Sequence, residues 1–168
     1  MTLIEVGRWA VGLLLSAVLV WASISDIRHR RIPNWTVLAV LGLFAPWAVL
    51  SQGSWVLWAL AAAAISLVVS FALYAMGLFG AGDSKLFAAV ALFAGIGRLG
   101  QLAIITALVG GLIAVVSLLA RPRRAMVMLT MRGKGDFGRG VPYGVAIAVG
   151  ALVVVWSGLL GLNLPEQI

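Results

Sequence analysis

Cysteine is absent from the chain, and histidine occurs once. The first absence excludes a disulfide framework and a thiolate metal site. The second leaves too few ligands for a closed four-ligand zinc centre. Charge is also scarce: 10% of the 168 residues are Asp, Glu, Lys or Arg, where a soluble domain has about a quarter. Only five residues are acidic against 12 Lys and Arg, a net charge of +7. What is abundant is apolar: 63% of the residues are hydrophobic and the mean hydropathy is +1.13. These totals describe an all-α integral membrane protein with almost no room for a soluble domain. The positive balance does not indicate nucleic acid. The cations fall in short loops between apolar runs, which is the pattern of membrane orientation.

Apolar runs predict six transmembrane helices in one domain over residues 1–168: about 9–24, 35–50, 55–79, 86–96, 99–120 and 141–162. The first resembles a secretory signal peptide in having Ser23 and Ser25 near its end. Its n-region is weak, however, with Glu5 beside Arg8, and Arg28, Arg30 and Arg31 follow the run. A retained anchor with its N-terminus outside is the better reading. Pro33 disfavours helix at Ile32, and Asn34 is the expected N-cap of helix two. Ala61 to Ala64 offers a close-packing face on helix three. Helix four is short for a span, which normally needs about 20 residues. Parity decides its role. If it did not cross, Arg121, Arg123, Arg124, Arg132, Lys134 and Arg139 would all lie outside, against the positive-inside tendency. Both termini are therefore expected outside, with Arg98 near the outer surface. Trp9, Trp47, Trp55 and Trp58 fall near that interface, and Trp21 and Trp35 near the inner one.

The five acids then sort themselves. Glu5 and Glu166 belong to the termini, and Asp136 to a glycine-rich loop. Asp26 and Asp83 remain, each ending a helix on the same cytoplasmic edge. Asp83 lies in Gly80-Ala81-Gly82-Asp83-Ser84-Lys85-Leu86, at the seam between two long apolar stretches. An ionisable residue at membrane depth is a functional candidate whose partner must be sought, and the two glycines permit close approach to it. Two carboxylates in a partly dry site do not both ionise easily, so one stays protonated and the other charged. That split supplies a general base to activate water and an acid to polarise a carbonyl. The alternative, two unrelated caps or interface charges, fits the positions equally well.

The surrounding residues carry a resemblance. Asp26 followed by basic residues and Ile32-Pro33-Asn34, then Gly80-x-Gly82-Asp83-x-Lys85-Leu86, resembles the type IV prepilin peptidases, which are GxGD-type intramembrane aspartic peptidases. Pro142-Tyr143-Gly144-Val145-Ala146-Ile147-Ala148 resembles a late patch of that family, and the short length resembles its Flp/Tad-pilus branch. The resemblance implies Asp26 and Asp83 as the catalytic pair, with Gly80 and Gly82 shaping the surroundings of Asp83. It implies a prepilin or pseudopilin substrate, cut after a glycine at the inner edge of a bacterial or archaeal cytoplasmic membrane. It implies no metal and no cofactor. Larger members that also methylate the new N-terminus carry an added cytoplasmic domain, which nothing here matches.

Other residues have two readings. Lys85 either favours the ionised form of a nearby aspartate or snorkels to the cytosol as a topology anchor; the second is preferred. Pro33, Asn34, Pro142, Tyr143 and Gly144 either line the site or start helices. Arg28, Arg30 and Arg31 orient the chain and attract anionic lipid, and His29 is a solvated loop residue. Asp136-Phe137-Gly138 spells a kinase tripeptide without a kinase catalytic loop. Gly133-Lys134-Gly135 lacks phosphate-loop spacing. Two further functions stay open at this stage: a proton-coupled carrier or channel subunit, and an assembly factor that binds pilins without cutting them.

Overall fold

The computed structural model describes residues 2–51, 55–120 and 142–162, and among these every regular element is a helix. There are five helices: α1 (Leu3–His29), α2 (Asn34–Leu50), α3 (Val56–Ala75), α4 (Ala81–Ala120) and α5 (Tyr143–Leu159). Three stretches are long and apolar enough to cross a membrane: Leu3–His29, Val56–Ala75 and Ala81–Ser117. The loop cations from Arg121 to Arg139, with Asp136 and Gly133-Lys134-Gly135, lie outside the described residues, as does Glu166.

α4 is broken at Gly95, where φ is 64° and ψ 178°. That conformation is rarely open to a residue with a Cβ, and it turns the chain back on itself. Before the break, Asp83 and Ser84 lie at one end of the bundle and Phe93 meets Phe44 and Trp47 at the other. After it, Arg98 donates to the Val154 carbonyl at 3.3 Å. Thr106 faces Gly150, and Gly110 faces Tyr143. The second arm therefore returns to the end from which the first set out.

The first arm forms the centre of the bundle. Leu86, Ala89, Val90, Ala91, Leu92 and Phe93 are all buried. A helix apolar on every side is stable where every side is covered, and α2, α3 and α5 all pack on α4. α3 meets it with Ala59, Ala62, Ser66 and Ser70, small side chains on one helical face that let the backbones approach. Ser84 donates to the Ser70 carbonyl at 3.1 Å and Ser70 to that of Ser84 at 3.4 Å. α1 lies against α2 and α5, with Leu15, Leu19 and Ala22 in the core.

Several expected boundaries move. α1 runs beyond residue 24 to His29 and holds Asp26 in its last turn. It ends where Arg30 turns left-handed (φ 54°) and its N–H returns to the Asp26 carbonyl. Asn34 is not the cap of α2. It is the first helical residue, Pro33 is the cap, and Thr36 Oγ1 donates to the Pro33 carbonyl at 2.6 Å. α3 stops at Ala75 rather than near residue 79, because Gly77 adopts φ 75°. The buried face of α3 takes in Ala62 from the expected Ala61 to Ala64 stretch and extends from Ala59 to Ser70. The tryptophans do sort to the two ends: Trp21 pairs with Trp35 at one, and Trp9 with Trp156 and Trp47 with Phe93 at the other.

Candidate active site

Asp83 is the third residue of α4, and the Gly80 N–H hydrogen-bonds its carboxylate. This is half of a capping box, an acid at N3 reaching back to the N-cap amide. Ser84 completes the turn, with its N–H and hydroxyl both donating to the Gly80 carbonyl at 3.0 Å. Gly80 has to be glycine for steric reasons: a Cβ there would lie 2.5 Å from Asp83 Oδ2.

Asp26 finds its partner on another helix. The Gly144 N–H donates to Asp26 Oδ2 at 2.9 Å. Gly144 is in the first turn of α5, whose N-cap Pro142 has no side-chain hydrogen bond to offer. Such first-turn amides have no partner within their own helix, so a carboxylate from α1 caps α5 in trans. A Cβ on Gly144 would lie 2.9 Å from Asp26 Oδ2 and 3.1 Å from both Asp26 Cβ and Ile32 Cδ1. Ile32 also faces Gly82, where a Cβ would lie 3.3 Å from its own. The Ile32 side chain thus bridges the two glycine-lined helix starts.

The outcome is two carboxylates at two helix N-termini, at one end of the bundle. Both are 7% exposed, and their charges act on each other. A helix N-terminus is a favourable place for negative charge. Arg30 adds a cation acting on Asp26. Beside the pair, Phe79 lies 5.4 Å from the Tyr143 ring, at an interplanar angle of 49°.

A model of the type IV leader peptidase family matches residues 13–164. The chain belongs to the type IV leader peptidase family. No curated protein and no solved structure matches it. Membership makes it a peptidase, and with its apolar helices a membrane protein, among enzymes that act on leader-bearing substrates. The match runs through both aspartates and the α5 start, as the resemblance in the sequence anticipated.

Within this leader peptidase the structure brings together most of the residues singled out from sequence. Asp26, Asp83, Gly80, Gly82 and Gly144 converge, and Tyr143 borders them. Lys85 is exposed, on the outward side of α4, consistent with an anchoring role. Pro33 is half-buried and ends the connector carrying Ile32, while Asn34 is exposed. Three contributors went unrecognised: Ile32 as a bridge, Phe79 as an aromatic wall, and Ser84 as the lock on the Gly80 carbonyl. The first was visible only as part of Ile32-Pro33-Asn34, whose apolar member reads as linker. Among the described residues no group of three or more His, Cys, Asp or Glu is gathered as a metal site.

Proposed function

We propose that this leader peptidase is an aspartic endopeptidase in which Asp26 and Asp83 act as a catalytic pair. It removes the short basic cytoplasmic leader of type IV prepilins or pseudopilins at the inner edge of a bacterial or archaeal cytoplasmic membrane. The observation that carries this is the convergence of two buried carboxylates on helix starts that the Ile32 side chain bridges. Water held between them attacks the scissile carbonyl carbon. One aspartate accepts a proton from that water, and the other, protonated, donates a hydrogen bond to the developing oxyanion. Collapse breaks the C–N bond and a proton passes to the leaving amine. The pair titrates as a unit.

Six spans with both termini outside form part of the same reading. The reversal at Gly95 supports it, since α4 then contributes two passes, and so do the loop cations between Arg121 and Arg139. The Flp/Tad branch is part of the same proposal. The test is co-expression with a prepilin of that branch. A leader-sized shift on a gel, lost with either aspartate, supports the reading; unchanged prepilin beside the wild-type protein overturns it.

A further inference from the structure

Each carboxylate of the pair is held by a glycine N–H, and each of those glycines follows an aromatic residue. Phe79 precedes Gly80, which donates to Asp83. Tyr143 precedes Gly144, which donates to Asp26. The two rings touch, with centroids 5.4 Å apart. They are also fixed from behind. Phe79 meets Phe87 edge-on at 6.5 Å. Tyr143 lies against the second arm of α4, where a Cβ on Gly110 would fall 3.0 Å from its Cε1.

We propose that the Phe79–Tyr143 pair is a clamp that sets the separation of the Asp26 and Asp83 carboxylates. Both rings are positioning residues, which act through the glycine donors beside them. The clamp rests on the proposed catalytic role of the two aspartates.

The physical case is one of linkage. Asp83 is fixed to the start of α4 and Asp26 to the start of α5. The hydrogen bonds orient each carboxylate on its own helix end and say nothing of the distance between the ends. Phe79 and Tyr143 join those ends one residue from each donor. Aromatic pairs in such tilted contact attract each other beyond what their buried area supplies. A shift of about 1 Å in a reacting group can cost 100-fold in rate. Among the described residues, the charged groups acting on the pair are the two aspartates themselves and Arg30. Loosening the clamp therefore alters their mutual coupling without removing either charge.

The experiment measures prepilin cleavage by the full chain in detergent for Tyr143→Leu, Phe79→Leu, the double variant and Tyr143→Phe, with Asp26→Asn as control. The expected result is a fall in kcat of about 10- to 100-fold for each leucine variant, with KM within about twofold. The pH profile of kcat narrows, because weaker coupling shrinks the range over which the pair holds one proton. The double variant is no slower than the slower single, since both break one contact. Tyr143→Phe keeps wild-type kcat. Unchanged kcat and pH profile in the leucine variants overturn the clamp, as does a raised KM with unchanged kcat, which marks substrate contact. A leucine variant that fails to accumulate is replaced by Phe79→Met, judged by the same criteria. Full activity in Asp26→Asn instead overturns the catalytic pair, so the two failures are distinguishable.

Discussion

The Asp26 carboxylate accepts the backbone N–H of Gly144 at 2.9 Å, from 118 positions further along the chain. One hydrogen bond thus joins the last turn of the first helix to the first turn of the last. An intramolecular hydrogen bond contributes about 0.5–1.5 kcal/mol net, and both groups are buried. The same contact serves the fold as a cap and the proposed chemistry as an orienting bond.

Asp26→Asn and Asp83→Asn are each expected to abolish leader removal while the protein still accumulates in the membrane. Asparagine keeps the shape and can still accept from Gly144 or Gly80, but it cannot exchange a proton. Asp136→Asn leaves cleavage intact. Gel-shift assays alongside immunoblots of the membrane fraction check this, and near-normal processing by either active-site variant would sink the pair.

Gly144→Ala is expected to lower kcat by about 100-fold. Its Cβ enters space held by Asp26 Oδ2, Asp26 Cβ and Ile32 Cδ1, so the carboxylate has to move. Gly111→Ala is the control, because a Cβ there meets nothing within 4 Å. It should leave turnover unchanged. Equal activity in the two variants contradicts the steric argument.

Gly150→Ala should lower the Tm in detergent, with an overpacking cost of about 1–3 kcal/mol. The new methyl would lie 2.6 Å from Thr106 Oγ1 and 3.3 Å from the Leu102 carbonyl oxygen. Thr106 Oγ1 is buried without a hydrogen-bond partner, so deleting it removes the clash and strands no bond. Thr106→Ala in the same chain is expected to restore most of the lost Tm. Simple addition of the two single effects would show that the contact is not the cause.

Cleavage should survive EDTA, and the mature N-terminus should carry no methyl group. Hydrolysis by a carboxylate pair requires water alone. The sequence offers one histidine and no cysteine for a closed metal site, and no glycine-rich strand–helix unit for a methyl donor. Purified protein with prepilin, methyl donor and chelator, read by mass spectrometry, decides both points.

Cysteine labelling tests the orientation in a chain that has no cysteine of its own. An impermeant probe should reach Gln52→Cys from outside and Gly135→Cys only after lysis. The reverse pattern would put both aspartates on the wrong face.

The helical architecture and both aspartates were legible because apolar runs and rare charges are local signals. What escaped were relations across the chain. Asp26 is expected to end its helix with Asp83 as its partner; it also accepts a hydrogen bond from an amide that no pattern near Asp26 announces. Asn34 matched a cap by type, yet Pro33 takes the position and Thr36 bonds back to it. The break in α4 was sought beside the charge of Arg98. It occurs at Gly95, whose φ of 64° turns the chain, and Arg98 donates to the Val154 carbonyl. Thr2 and Glu5 form a complete capping box at the start of α1, which the S/T-x-x-E pattern of the sequence signals locally. Phe79 read as the tail of helix three until Gly77 released it to meet Tyr143.

The reversal at Gly95 bears on how the proposed topology is built. Residues 81–94 rise only about 21 Å as a helix, less than the roughly 30 Å of a bilayer's hydrocarbon core. No polar loop separates them from the second arm. On that topology the first arm is too short to be retained by the insertion machinery alone, and it carries the carboxylate of Asp83 with it. The two arms should therefore leave the ribosome and enter the lipid together as a hairpin. In a chain truncated at residue 105, Gly97→Cys should be labelled by an impermeant probe only after lysis, and in one reaching residue 120 it should be labelled from outside.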